Sequence, residues 1–139
     1  MHTGRCLCGA VTLSIAGDAI GARTCWCRDC QKFGGGNGTT NAFFRVDDIA
    51  HTGALNWYES IADSGNTTHR AFCPKCGSHV FTKGSGAPHL SGVRVSILDD
   101  SDLFAPQAVI WTSSAPRWAA PDARLPNFPK APPPPPAKD

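Results

Sequence analysis

Seven cysteines stand in three tight groups along the 139 residues: Cys6 and Cys8, then Cys25, Cys27 and Cys30, then Cys73 and Cys76. An odd number excludes complete internal disulfide pairing. Neighbours spaced C-x-C or C-x-x-C do not readily bridge each other, but they do aim two sulfurs at one ion, and zinc prefers a tetrahedron of thiolates. Seven thiolates divide into four, which close a structural site, and three, which leave one coordination position open. Spacing alone does not fix the division. Cys27-x-x-Cys30 with Cys73-x-x-Cys76 would make a zinc ribbon, whereas Cys25, Cys27 and Cys30 are self-contained and are the natural candidate for the open site. The need for metal is also written in the composition. Leu, Ile, Val and Phe together number only 26, a thin supply for a core. Zinc bound to a small domain supplies on the order of 10 kcal/mol of folding free energy.

The rest of the chain reads as one domain, expected over 1–129, with a proline-rich tail over 130–139. Alternation predicts strands at 11–15, 41–46, 55–59, 70–72, 80–82, 93–97 and 108–112, with one helical turn at Arg28–Phe33 and a polar turn with a brief helix at 99–103. No window of helical period exceeds two turns. The fold class expected is all-β. Nine of the twelve prolines fall in residues 116–139, five of them in an unbroken run. That tail is expected to be a disordered, solvated polyproline extension, and an SH3- or WW-type ligand is the alternative reading. A net charge of +2 with no Lys/Arg cluster argues against nucleic acid as the main partner. No apolar run is long enough for a transmembrane helix, and residues 1–10 carry no signal-type stretch, so a cytoplasmic setting is expected.

Cys73-Pro74-Lys75-Cys76-Gly77 is a strong knuckle signal, since Pro74 pre-sets the turn and Gly77 admits a left-handed backbone that turns amide N–H groups toward sulfur. Cys6-Leu7-Cys8-Gly9 is its shorter counterpart, and joining the two would close a loop across residues 9–72. Cys25-Trp26-Cys27-Arg28-Asp29-Cys30 offers three corners of a tetrahedron within six residues. Three thiolates on zinc make a weak Lewis acid but suit a thiol substrate, whose proton the metal displaces. Arg28 and Lys32 are close enough in sequence to offset the charge. With Arg45 they are the candidate cations for the carboxylates of such a thiol. The glycine-rich stretch at 34–38 is not a phosphate loop, but Gly34 and Gly35 would let a ligand approach the backbone. His2, His51, His69, His79 and His89 show no metalloprotease spacing and read as surface or hydrogen-bonded residues, with His79, three positions past Cys76, the least dismissible.

Gly4-Arg-Cys6-Leu-Cys8-Gly9-Ala-Val, Cys25-x-Cys27-x-x-Cys30 and Phe72-Cys73-x-x-Cys76-Gly77-Ser78 together closely resemble the glutathione-dependent formaldehyde-activating enzyme family, which includes the centromere protein V relatives. The late segments running from Pro106 through Trp111 to Trp118, and from Leu125 to Pro129, look like that family's C-terminal signature, so the resemblance covers about residues 3–129. It implies a β-tent fold of small antiparallel sheets around zinc knuckles and two zinc ions per chain. It also implies the division of ligands: Cys6, Cys8, Cys73 and Cys76 on a structural zinc, and Cys25, Cys27 and Cys30 on a catalytic-type zinc. The implied activity is that of a carbon–sulfur lyase joining glutathione to formaldehyde, giving S-hydroxymethylglutathione, with a small thiol and a small aldehyde as partners. Where the family often has His between its first two catalytic cysteines, this chain has Trp26. The alternative readings are a non-enzymatic zinc-stapled binding module, or the same chemistry on another thiol or carbonyl compound, and a homo-oligomer is compatible with each.

Overall fold

A computed structural model describes residues 1–132. The chain forms β1 (His2–Arg5), β2 (Thr12–Ile15), β3 (Gly21–Cys25), α1 (Arg28–Phe33), β4 (Thr39–Arg45), β5 (Ile49–Thr52), β6 (Asn56–Ile61), β7 (Thr67–Phe72), β8 (His79–Gly84), β9 (Leu90–Arg94) and β10 (Val109–Ile110), with three short 3-10 turns between them and a fourth after β10. The fold is mostly β, as the alternation predicts, and the one α-helix is six residues long. No helix among the described residues is long and apolar enough to cross a membrane. The chain divides into two compact units. One comprises Met1–Ala22 and Thr40–Pro106; the other comprises Arg23–Thr39 and the segment from Gln107 onward.

The first unit contains the core. β2 lies between β1 and β5, antiparallel to both. A second antiparallel array runs β4-β9-β8-β7-β6. Because side chains alternate across a strand, register assigns each array one apolar face. Leu13 and Ile15 of β2 join Ala42, Phe44, Ala71, Phe81 and Val93 of the second array in one buried cluster. Cys6 and Cys73 belong to the same cluster, so the first knuckle pair grows directly out of the core. The opposite face of the second array mixes polar residues with Phe43 and Phe72. Asn41 pairs with Arg94, Arg70 with Thr82, and Tyr58 with Arg70 across neighbouring strands. A bulge between Ala71 and Phe72 pairs these residues with Phe81 and His79, skipping Val80. The skipped Val80 is fully buried in the core, and His79 stacks on Phe72 with ring centroids 5.9 Å apart.

The second unit has a different construction. Here β10 pairs with β3 in parallel, Val109 opposite Thr24 and Ile110 opposite Cys25. Its C-terminal segment folds back on itself, with the Val109 N–H donating to Pro126 O (2.9 Å) and the Trp111 N–H to Lys130 O (3.2 Å). The proline-rich tail expected over 130–139 lies, beyond Pro132, outside the described residues.

Two local expectations are corrected. The alternation of Val93, Val95 and Ile97 predicts one strand, but β9 ends at Arg94 and Val95–Ile97 is a 3-10 turn. Ile97 is buried in that turn, so an apolar side chain on a compact turn mimics the strand period. β1, β3 and β5 are absent from the sequence reading. Each is four or five residues with weak apolar alternation, and each owes its strand to the neighbour it pairs with.

Candidate metal centres

In the first unit, the turn after Arg5 and the turn after Phe72 bring Cys6, Cys8, Cys73 and Cys76 together, with all four sulfurs within 4.8 Å of one another. The Cys6–Cys8 separation is 3.6 Å and the Cys8–Cys73 separation 3.8 Å. Thiolates ~2.3 Å from zinc at tetrahedral angles lie ~3.8 Å apart, whereas a disulfide would bring sulfurs to ~2.0 Å. The donor set therefore fits a four-sulfur metal site, and all seven cysteines are free thiols. The knuckles are two versions of one turn. The Gly9 N–H donates to Cys6 O (3.1 Å), and the Gly77 N–H to Cys73 O (2.8 Å). Gly9 and Gly77 have φ of 79° and 77°, the left-handed conformation that a side chain disfavours. Ser78 ties the two knuckles together: its hydroxyl accepts from the Leu7 N–H (3.0 Å) and lies 3.2 Å from Cys76 Sγ.

Electrostatics distinguish the four sulfurs. The Ser78 hydroxyl, then the backbone N–H groups of Ser78 and Cys8, lower the Cys76 thiol to about 5. Burial opposes the Cys6 thiolate, but the Val11 N–H and the Cys8 and Cys73 sulfurs outweigh it and the thiol is lowered. The Ala10 N–H favours the Cys8 thiolate, yet burial and the crowd of sulfurs push that thiol up to about 11. Four sulfurs at these distances ionise together only around a cation.

In the second unit, β3 delivers Cys25 at its end and α1 delivers Cys30 from its first turn, with Cys27 as the residue capping the helix. The Cys27 sulfur accepts from the Cys30 N–H at 3.3 Å, so the capping bond fixes the spacing of two of the three donors. All three sulfurs lie within 4.8 Å of one another, and no fourth His, Cys, Asp or Glu among the described residues joins them. The Cys27 sulfur and then that of Cys30, with burial, push the Cys25 thiol far up. The Cys25 sulfur favours the Cys27 thiolate, but Cys30 and burial outweigh it and the thiol is raised. This crowd also needs a cation, and three converging thiolate donors fit one metal ion with a vacant corner.

The other sequence candidates separate. Arg28 and Lys32 are exposed on α1, one turn apart on the helix that carries Cys30. Arg45 is exposed at the end of β4, in the first unit. Gly34 ends α1, its N–H donating to Cys30 O (2.7 Å), and Gly35 is exposed in the loop that follows. Several members of this run need to be glycine: a Cβ at Gly34 would stand 2.5 Å from Asn37 O, one at Gly38 would stand 2.7 Å from Cys25 O, and Gly35 and Gly36 have φ of 70° and 106°. Trp26, between the first two cysteines of the group, is 6% exposed, so its side chain is a packing element. Gln31 was not singled out by sequence reasoning. It is buried, and its Nε2 donates to Trp26 O (2.7 Å) and Ser114 O (2.9 Å). Its one sequence signal is position: it follows Cys30 on a helix whose other non-cysteine residues are mostly charged.

These two centres can be set beside known proteins. No curated protein matches the chain. Among solved structures, it is similar to the crystal structure of a Rhodobacter sphaeroides protein, at 28% identity and a TM-score of 0.57, covering 70% of this chain and 87% of that one. The family model described as glutathione-dependent formaldehyde-activating enzyme matches residues 1–114. That span contains all seven cysteines and Gln31 and ends at Ser114, so the 125–129 segment lies beyond it. Both cysteine groups and most of the chain fall inside the match, and the chain belongs to the glutathione-dependent formaldehyde-activating enzyme family.

Proposed function

We propose that the protein is a zinc-dependent carbon–sulfur lyase that joins a thiol to a small aldehyde, with glutathione and formaldehyde giving S-hydroxymethylglutathione as the reaction. The observation that carries this reading is the difference between the two centres, four sulfurs in one and three in the other. Cys6, Cys8, Cys73 and Cys76 would hold a structural zinc, and Cys25, Cys27 and Cys30 would hold the second. When bound there, zinc supplies an open position at which an incoming thiol is favoured as thiolate. The chain's own groups do the rest. The Cys27 cap and the close approach of Gly38 to Cys25 hold the three donors in place. Arg28 and Lys32, exposed beside them, would engage the carboxylates of glutathione. The exposed backbone at Gly35 leaves room for an extended substrate. Sulfur attacks the carbonyl carbon, the S–C bond forms as the C=O π bond opens, and the thiol proton ends on the hydroxymethyl oxygen. A cytoplasmic setting, where thiols stay reduced, belongs to the same proposal and agrees with seven free cysteines.

The test is exchange between free formaldehyde and its glutathione adduct, followed by NMR with the zinc-loaded protein. Marked acceleration that vanishes in Cys27→Ser supports the proposal. No acceleration in protein holding two zinc ions contradicts it for this substrate pair.

A further inference from the structure

Gln31 makes three hydrogen bonds from a buried side chain, two to the Cys25–Cys30 run and one to the C-terminal segment of the second unit. Its Nε2 donates to Trp26 O, inside the cysteine run, and to Ser114 O, 83 residues away. Its Oε1 accepts from Arg28 Nη1 at 2.7 Å. The orientation of the amide is unambiguous, because flipping it would set the NH2 against a guanidinium and the oxygen against two carbonyls. A glutamate in its place would face the same two carbonyls with a charge and no proton. The Ser114 carbonyl is presented with equal specificity. It belongs to the 3-10 turn Thr112–Ser114, which follows Trp111. Trp111, with φ 59° and ψ 35°, is the non-glycine residue among those described that adopts a left-handed backbone. The Trp111 N–H to Lys130 O (3.2 Å) and the Thr112 N–H to Phe128 O (3.1 Å) hold that strained position.

We infer that Gln31 is a positioning residue: it locks the C-terminal Trp111–Ser114 turn to the three-cysteine run and aims the Arg28 guanidinium as the receptor for a carboxylate of the thiol substrate. Arg28 directly follows Cys27 and is exposed, while one N–H of its planar fork is pinned by a buried acceptor. A fork fixed in this way loses little freedom on binding a carboxylate bidentately. Lys32, one helical turn on, adds a second positive charge on the same face. The substrate class is a thiol that carries carboxylates. This rests on the reading of the three-cysteine centre as the thiol's site.

The test is calorimetric titration of the zinc-loaded full chain with glutathione and with its diethyl ester, which keeps the thiol and caps both carboxylates. Wild type is expected to bind the acid more tightly than the ester. Arg28→Gln should weaken the acid roughly tenfold and leave the ester unchanged. Gln31→Leu should move the acid in the same direction and spare the ester, with two zinc ions retained. Gln31→Asn is the milder variant should Gln31→Leu not fold: it keeps an amide in the helix but withdraws the oxygen from Arg28, and it should show the same selective loss. An acid-to-ester preference that is absent in wild type, or unchanged in Arg28→Gln and in the Gln31 variants, overturns the inference. A zinc-loaded protein that prefers the acid in this way yet fails to accelerate formaldehyde exchange would refute the enzymatic proposal for this substrate pair and leave the Gln31–Arg28 inference standing. Acceleration without any acid preference would do the reverse.

Discussion

Cys6, Cys8, Cys73 and Cys76 meet from chain segments 65 residues apart, whereas Cys25, Cys27 and Cys30 come from six consecutive residues. The first centre closes a loop that contains most of the core strands, so metal there restricts the unfolded chain strongly. The second closes almost no loop, and its geometry is set by one strand end, one capping bond and one glycine contact. The first is built into the apolar cluster through Cys6 and Cys73, both essentially inaccessible, with Cys76 half-buried and Cys8 exposed; in the second, Cys30 is buried and Cys25 and Cys27 are half-buried. A centre that clips distant segments together gains from a full set of ligands rooted in the core. The second is a local frame, assembled from neighbouring residues without closing a long loop.

The comparison breaks most visibly in paired substitutions. Cys73→Ser should lose the structural ion and with it on the order of 10 kcal/mol of folding free energy, leaving no cooperative unfolding transition by circular dichroism. Cys27→Ser should keep the transition, bind one zinc ion in place of two, and lose exchange activity. Equal damage to folding from both would erase the distinction. Acid should then separate the centres by affinity. Protons compete with metal for thiolates, so a thiol lowered in the protein keeps its metal to lower pH and a raised thiol releases it sooner. Cys76 at about 5 and a lowered Cys6 favour retention in the first centre, against the pull of Cys8 at about 11. Cys25 and Cys27 are both raised, and no fourth His, Cys, Asp or Glu among the described residues joins their group. On stepwise acidification below pH 7 with a chromogenic chelator present, the first equivalent of zinc released should be the one that Cys27→Ser lacks.

Smaller effects sharpen the same contrast. Gly38→Ala places a Cβ 2.7 Å from Cys25 O, and the shift it forces should cost about 1–3 kcal/mol. Because the strain falls on the second centre, zinc affinity and activity there should drop by more than the melting temperature of the first unit implies. The smallest effect concerns His79, which burial, then Arg94 and Arg70, hold below its ordinary value of 6.5. The folded state resists protonating it while the unfolded chain does not. Its contribution to stability is therefore complete above pH 6.5 and is lost as pH falls through the folded value. The dependence of melting temperature on pH below 6.5 should be shallower in His79→Asn than in wild type.

Much of this was legible in the sequence because cysteine spacing and strand alternation are local signals. The six-residue helix at Arg28–Phe33 and both knuckles fall where the spacing puts them. Val93-x-Val95-x-Ile97 misleads because Val93 is buried in a strand and Ile97 in the 3-10 turn that follows it, so two different elements supply one apparent period. The strands β1, β3 and β5 stay hidden because their partners, and not their own alternation, make them strands. Gln31 stays hidden for a related reason. Its three partners include a carbonyl 83 residues away, and a glutamine on a short polar helix looks like any solvated side chain. The need for glycine at 38 is likewise a property of the backbone it touches, and the sequence does not show that this member of the run is the one that abuts Cys25.

The central claim, one closed centre and one open, is tested most directly by replacing zinc with cobalt and titrating the two-cobalt protein with glutathione. Cobalt–thiolate charge-transfer absorption reports each sulfur added to an ion. The account predicts that glutathione increases this absorption at one ion alone, and that Cys27→Ser abolishes the increase while keeping the spectrum of the four-sulfur ion. A spectrum indifferent to glutathione, or a response that survives in Cys27→Ser, would contradict it.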